Sequence, residues 1–280
     1  MKILLITDTQ LGMAEHCLKG DKWITVSKNW LGDNLELGQD KEDKNFSKFV
    51  EIADREKPSF VVHCGDIIND INDTVSILKV KKHISLLKNI SPVYILPGNH
   101  DVGIDPEVIS AEGLKIYKEN FGNDYSSFRK DNFLFLFINS SLFMNPEILI
   151  DDYHKQIDFI KEELRKIDTN YKVVVFTHHP PYVKRIDMME NQLSDLTSDR
   201  DLEYWMFPEE IKNEFFMLFE NTNLVSIFCG HLHTNLYSEY RNTEIVVTSA
   251  LGLPLGSHPS GYRIINIDNR TLGHEFKSVT

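Results

Sequence analysis

The chain of 280 residues predicts an α/β fold, on three observations. Short strand-forming runs alternate with amphipathic helical stretches along its length. Five of those runs end in short motifs of Asp, Asn, Gln and His. No internal repeat, low-complexity run or Pro/Gly/Ser linker divides the sequence, so residues 1–280 read as a single domain.

Taken in order, Lys2–Thr7 is the first strand, and its apolar run Ile3–Ile6 leads into Asp8-Thr9-Gln10. The polar stretch 13–42 lacks periodicity and reads as a loop over the mouth of a site. Trp23 and Trp30 either line a groove there or pin the loop to the body. Phe46, Phe49, Val50 and Ala53 have the i, i+3, i+4, i+7 spacing of a helix that ends near Pro58. Ser59–Cys64 is a strand delivering Gly65-Asp66; a helix over Val75–Asn89 follows, then the strand Pro92–Leu96 ahead of Gly98-Asn99-His100-Asp101. Val108–Asn120 is predicted helical, Tyr125–Phe128 and Phe133–Asn139 a strand pair, and Ile148–Lys166 a long charged helix. The strand Lys172–Thr177 precedes His178-His179-Pro180. Residues 184–206, with Met188, Met189, Tyr204 and Trp205, read as a second polar loop. A helix over Glu209–Phe219 precedes the strand Val225–Cys229, which carries Gly230-His231-Leu232-His233. The strands Glu244–Ser249 and Tyr262–Asp268 complete the order.

Strand ends of open α/β sheets are where sites gather. Five ends carrying Asp, Asn, Gln and His supply hard and borderline oxygen and nitrogen ligands suited to divalent cations. The inference is a dinuclear metal site. A net charge of −12 argues against broad gripping of a nucleic-acid backbone. Met1–Ile6 is too short for an apolar signal core, and no apolar run is long enough to span a bilayer. Cys17, Cys64 and Cys229 show no metal-binding spacing and an odd count, which fits a reduced, cytoplasmic setting. Cys64 and Cys229 stand just before motif residues and read as small packing residues beneath the site.

The five motifs, in this order and at these strand ends, resemble the calcineurin-like metallophosphoesterases over almost the whole chain. The resemblance implies a four-layer α/β/β/α sandwich with helices outside, parallel strands at the centre of the sheets and antiparallel ones toward the edges. It implies two divalent cations, whether Mn, Mg, Zn or Fe. One would take Asp8, Gln10, Asp66 and His233, the other Asp66, Asn99, His178 and His231, with Asp66 bridging. His231 and His233 are two apart, so on an extended segment they would face one side and feed both cations. His178 would be the ligand of its pair, with His179 a packed or hydrogen-bonded support pointing elsewhere. His100 would be the proton donor to the leaving oxygen, and Asp101 would act beside it by orienting the turn or the ring.

Asp8-Thr9-Gln10-Leu11-Gly12, Asn123–Phe128, Phe133–Asn139 and Ser249-Ala250-Leu251-Gly252 look more specifically like the branch of that family named for calcineurin-like phosphoesterase domain-containing protein 1. Its members are regarded as serine/threonine protein phosphatases. The activity implied is hydrolysis of a phosphomonoester, on a phosphorylated protein or a small phosphoester, by a hydroxide held between the cations. Phosphodiesterase activity on cyclic nucleotides or other diesters is the alternative, and a binding module that keeps the fold without catalysis is a third reading. Gln10 stands where the wider family has His, and its neutral amide oxygen predicts weaker binding, or a preference for Mn²⁺ or Mg²⁺ over Zn²⁺. The family also often places an Asp three residues after the bridging one, paired to the proton donor; here that position is Asn69, followed by Asp70. Arg129, Arg185, Arg241 and Arg263 are available as phosphate clamps but read first as solvated surface residues, and His258 is a candidate to reach the site.

Overall fold

Alternate residues of the first strand enter two different cores. In β1 (Lys2–Ile6), Ile3 and Leu5 pack in a cluster with Phe133, Phe135, Phe137, Val174 and Phe176, which belong to a second sheet. Leu4 and Ile6 face the other way, toward Phe46, Phe49, Ile77, Val80 and Ile84 on helices. The period of two along a strand makes this division, and it is why these strands read as continuous apolar runs: both faces are buried. The second sheet divides likewise, with Leu134, Leu136, Val173 and Val175 turned to its own helical cover. The layers are therefore helix, sheet, sheet, helix.

The structure, a computed structural model, describes residues 1–18, 41–105, 108–184, 204–254 and 258–279, apart from the side chains of 16–18 and 104–105. Trp23, Trp30, Arg185, Met188 and Met189 lie outside those residues, as does the Cys17 side chain.

The first sheet adds β2 (Phe60–Cys64), β3 (Val93–Leu96), β12 (Gly261–Asp268) and β13 (Thr271–Ser278), in the order β13-β12-β1-β2-β3. The second holds β6 (Ser126–Lys130), β7 (Phe133–Phe137), β8 (Lys172–Phe176), β9 (Asn223–Cys229), β10 (Leu236–Tyr240) and β11 (Thr243–Val247), in the order β10-β11-β9-β8-β7-β6. β11, β9, β8 and β7 run parallel between antiparallel edges, as expected. The first sheet departs from that expectation: its parallel block β1-β2-β3 runs out to one edge. A small hairpin, β4 (Gly103–Asp105) with β5 (Val108–Ile109), follows the third motif.

The helices are α1 (Met13–Leu18), α2 (Lys41–Glu56), α3 (Thr74–Ile90), α4 (Asn99–Val102), α5 (Ala111–Phe121), α6 (Ser141–Met144), α7 (Ile150–Arg165) and α8 (Glu209–Leu218). Local chemistry sets several ends. The Asp73 carboxylate accepts from the N–H groups of Val75 and Ser76 to start α3, and Ser110 caps α5 by accepting from Gly113. Gly122, at φ 97°, ends α5 in the left-handed region that glycine adopts readily. The stretch 13–42 is not all loop, because α1 begins at Met13 and α2 at Lys41. Residues 108–109 join a hairpin, so the helix expected over 108–120 starts at Ala111. Among the described residues, no helix is long and apolar enough to cross a membrane.

Candidate metal centre

The motifs sit at the C-terminal ends of β1, β2, β3, β8 and β9, and main-chain hydrogen bonds stitch those ends together. The Asp8 N–H donates to Gly65 O at 3.0 Å and the Gln10 N–H to Asp66 O at 2.9 Å. The Gly230 N–H donates to His178 O at 3.0 Å, and the Leu251 N–H to Thr7 O at 2.9 Å. The approach is so close that a Cβ on Gly98 would run into the Asp66 carboxylate, and one on Gly230 into Thr7 and Asp8. Asp8, Gln10, Asp66, His231 and His233 all have positive φ, between 37° and 69°. Left-handed backbone disfavours side chains other than glycine, so five expected ligands are held in strained conformations that the surrounding bonds impose.

This corrects the geometry expected for the fifth motif. His231-Leu232-His233 is not extended, since both histidines are left-handed. Both rings still reach the centre. His233 Nε2 lies 3.3 Å from Asp8 Oδ1, and the His231 ring is centred 5.1 Å from that of His178.

Each first-motif and second-motif carboxylate is held by one oxygen and offers the other. Asp8 Oδ2 accepts from the Thr7 hydroxyl at 2.6 Å and the His231 N–H at 3.1 Å. Asp8 Oδ1 is buried without a hydrogen bond. Asp66 Oδ1 accepts from the His100 N–H at 3.0 Å, while Oδ2 faces His178 Nε2 at 3.2 Å and Gln10 Nε2 at 3.4 Å. Asn99 is buried at the first turn of α4, next to that His100 N–H.

The three histidines are each fixed by a main-chain carbonyl. A carbonyl only accepts, so the contacting nitrogen carries a proton and the other is the one each ring can offer to a cation. His178 Nδ1 donates to Cys64 O at 2.8 Å and His233 Nδ1 to Leu253 O at 2.5 Å, leaving Nε2 of each toward the carboxylates. His231 is reversed: its Nε2 donates to Tyr204 O at 2.9 Å and Nδ1 is left.

Two groups of three could hold a cation among the described residues: Asp8, Asp66 and His178, and His178, His179 and His231. Asp8 Oδ1, Gln10 Oε1 and His178 Nε2 are buried polar atoms without hydrogen bonds, and such atoms are costly unless something else satisfies them. The electrostatics favour a cation. Burial alone would push the carboxyls up, but His178 and His233 hold Asp8 below the usual range, and His178 and His100 do the same for Asp66. Burial would likewise pull His178 down, yet Asp66 and Asp8 outweigh it and hold it at about 9. The two carboxylates thus favour a positive charge at this position. Burial and the neighbouring His178 pull His231 down to about 3, so it is neutral and able to ligate. Oxygen and nitrogen donors, two ionised carboxylates and orphaned inward atoms fit divalent cations.

His100 projects from the rim, half-buried, with Nδ1 donating to the main-chain oxygen of Asn69 at 2.8 Å. The expected carboxylate partner is replaced by that carbonyl, since Asp70 turns back onto the Asn72 N–H at 2.8 Å. Asp101 does not reach the reacting side. It is fully buried, with its oxygens on the N–H groups of Ile67, Ile68 and Gly98 at 2.8–3.2 Å, so it ties the second motif to the third. His179 does not point away as expected: its ring is centred 4.4 Å from His231, and its Nδ1 lies 2.8 Å from the Ser140 hydroxyl.

The three candidate clamps among the described residues stay out. Arg263 is buried against Thr248, Asn235 and His274; Arg129 is exposed on β6; and Arg241 lies over the Tyr240 ring. His258 approaches Asn235, at 3.5 Å.

The family model of calcineurin-like phosphoesterases matches residues 1–235. The chain belongs to that family. Calcineurin-like phosphoesterases are metal-dependent hydrolases of phosphoesters, and this chain carries the family's Asp and His groups in one buried cluster. Among related proteins, it is 27% identical over 273 residues to the human serine/threonine-protein phosphatase CPPED1, covering 94% of this chain and 82% of that one. It is 27% identical over 202 residues to a probable glycerophosphodiester phosphodiesterase GpdQ of Arcobacter nitrofigilis, covering 69% and 63%. A dimetal phosphatase from Danio rerio shares the fold at a TM-score of 0.65 and 12% identity, over 100% of this chain and 96% of that one.

Sequence reading missed the supporting groups. Ser140 follows β7 and could have been found as a sixth strand end. Thr7 is the polar residue that closes the apolar run Ile3–Ile6. The carbonyls of Cys64, Tyr204 and Leu253 leave no trace in side-chain identity.

Proposed function

We propose that the protein is a phosphomonoesterase with two divalent cations, acting on phosphoserine or phosphothreonine of a protein substrate, and that residues 1–280 form one domain. The observation that carries the reading is the convergence of Asp8, Gln10, Asp66, Asn99, His178, His231 and His233 on five joined strand ends. Similarity to a serine/threonine-protein phosphatase over 94% of the chain supports the substrate class.

Asp8, Gln10, Asp66 and His233 would hold one cation, and Asp66, Asn99, His178 and His231 the other. Bound there, the cations would supply Lewis acidity that activates water and neutralises phosphoryl charge. The chain's residues do the rest. Asp66 would be shared by the two, with its Oδ1 anchored by the His100 N–H. The same His100 holds one proton at Nδ1 against Asn69 O, and its Nε2 delivers another to the departing serine oxygen. Asp101 keeps the turn carrying His100 in register with Asp66.

Similarity to a probable glycerophosphodiester phosphodiesterase supports a second reading, diester hydrolysis. The test is hydrolysis of p-nitrophenyl phosphate beside bis-p-nitrophenyl phosphate, using metal-stripped protein titrated with Mn²⁺, Mg²⁺ and Zn²⁺. Metal-dependent turnover favouring the monoester, followed by release of phosphate from phosphoserine peptides, is the expected result. Preference for the diester would replace the first reading with the second. No turnover with any metal would leave the fold as a binding module.

A further inference from the structure

We propose that Tyr204–Phe207 is a strap that sets the proton and orientation of His231, so that this ring offers Nδ1 rather than Nε2 to a cation. The inference rests on the ligand assignment proposed above.

The three histidines differ in what fixes them. Cys64 O and Leu253 O, which fix His178 and His233, belong to the end of β2 and to the turn whose Leu251 and Gly252 N–H groups donate to Thr7 and Asp8. They are parts of the joined strand ends. Tyr204 O is not; it comes from the short segment just before α8. Two side chains seat that segment. Trp205 is 6% exposed and centred 5.7 Å from the His231 ring. Phe207, 2% exposed, stacks on Phe143 at 5.3 Å and meets Phe215 edge-on at 5.5 Å. The Phe207 N–H donates to Pro180 O at 3.2 Å, two residues beyond His178. The strap is thus tethered to the fourth motif while its carbonyl holds the fifth.

His231 is enclosed as a result. Rings of His178, His179, Tyr204 and Trp205 stand 4.4–5.7 Å from it, centre to centre. Such packing restricts ring rotation, and the single carbonyl then decides which nitrogen bears the proton. Without that acceptor, a neutral imidazole divides between two tautomers, and only one presents Nδ1 as a donor to a cation. A hydrogen bond of this kind on a ligating histidine typically changes metal affinity about ten- to a hundred-fold. Tyr204 and Trp205 are therefore positioning residues, acting through His231.

The test begins with metal-free protein carrying ¹⁵N-histidine, at a pH where His231 is neutral. The expected spectrum has His231 protonated at Nε2, with a His231→Asn variant assigning its signals. Protonation at Nδ1 would overturn the proposal, and this measurement needs no folded strap variant and no activity. Next, Mn²⁺ binding is measured by calorimetry. Trp205→Ala should lower the affinity of one cation about ten- to a hundred-fold and leave the other unchanged. Trp205→Phe should recover most of the loss, and Tyr204→Phe, which keeps the carbonyl, should bind both cations as the parent does. Unchanged affinities in a folded Trp205→Ala variant, or a loss in Tyr204→Phe, would overturn the strap. An enzyme that hydrolyses diesters instead would still report both readouts, so the two proposals fail separately.

Discussion

Gln10 brings a neutral amide to a cluster served, apart from Asn99, by carboxylates and imidazoles, at φ 37° and with its Oε1 buried without a hydrogen bond. An imidazole at that position would be a stronger donor to borderline metals. Gln10→His should therefore tighten Zn²⁺ binding about tenfold or more relative to Mn²⁺, read by competitive titration of stripped protein; an unchanged preference would remove amide ligation as the cause. His100 makes a different prediction. If its Nε2 protonates the leaving oxygen, His100→Asn should lower kcat on a phosphoserine peptide by about 10²–10⁴. The loss on p-nitrophenyl phosphate should be much smaller, because that leaving group departs without a proton. Equal losses on both substrates would assign His100 to binding. These residues were legible because the motif that contains them names their side chains. Asp101 was legible as a position but not as a part: nothing in Gly98-Asn99-His100-Asp101 says that its carboxylate turns inward onto three backbone N–H groups.

At the scale of elements, the strands with two buried faces were plain in sequence and the edge strands were not. β13 alternates exposed and half-buried residues, and β10 buries only Ser238, so neither carries an apolar run. Their hairpins turn on Arg241-Asn242 and Asn269-Arg270, as β6–β7 turns on Asp131-Asn132, each pair left-handed at φ 45–66°. That is the backbone of a tight two-residue turn, made here without the glycine that usually advertises it. The loop after β3 makes its own prediction. Gly98→Ala would drive a methyl group against the Asp66 carboxylate, so the variant should lose cation affinity and about 1–3 kcal/mol of stability. Calorimetric titration and urea unfolding measure the two effects. β2 supplies a pH dependence through His63. Burial pulls this ring down from 6.5 to about 3, while its Nε2 donates to the Thr9 hydroxyl at 2.9 Å. A depressed folded-state value means that the unfolded chain takes up the proton first. Stability is complete above pH 6.5 and is lost as pH falls toward 3, by about 2 kcal/mol at pH 5. Unfolding free energies of the parent and His63→Gln, compared at pH 8 and pH 5, should differ by that amount more at pH 8, to the parent's advantage. A pH-independent difference would mean that His63 is not buried neutral.

The whole molecule joins its two sheets in two ways. Between them lies the aromatic core, where Phe60 of β2 meets Phe135 of β7 edge-on at 5.4 Å and Tyr94 of β3 stacks on Phe137 of β7 at 4.4 Å. At one end, Asp8, Gln10, Asp66 and Asn99 follow strands of the first sheet, while His178, His231 and His233 follow strands of the second. A cation shared between those groups would be a cross-link between sheets as well as a reagent. Without one, Asp8 and Asp66 are buried charges that hold His178 well above its ordinary value as their counter-charge. Cations that bind only the folded arrangement stabilise it by mass action, about 4 kcal/mol at a thousand times Kd. Adding Mn²⁺ to stripped protein should therefore raise the melting temperature, and chelation should reverse the rise. Asp66→Asn removes the charge proposed to bridge both cations, so that variant should melt at nearly the same temperature with and without Mn²⁺. Exposed carboxylates elsewhere in this acidic chain provide the internal control. If Asp66→Asn kept the parent's full response, cations would be acting on the surface, and the two sheets would owe their union to the aromatic core and the hydrogen-bonded strand ends.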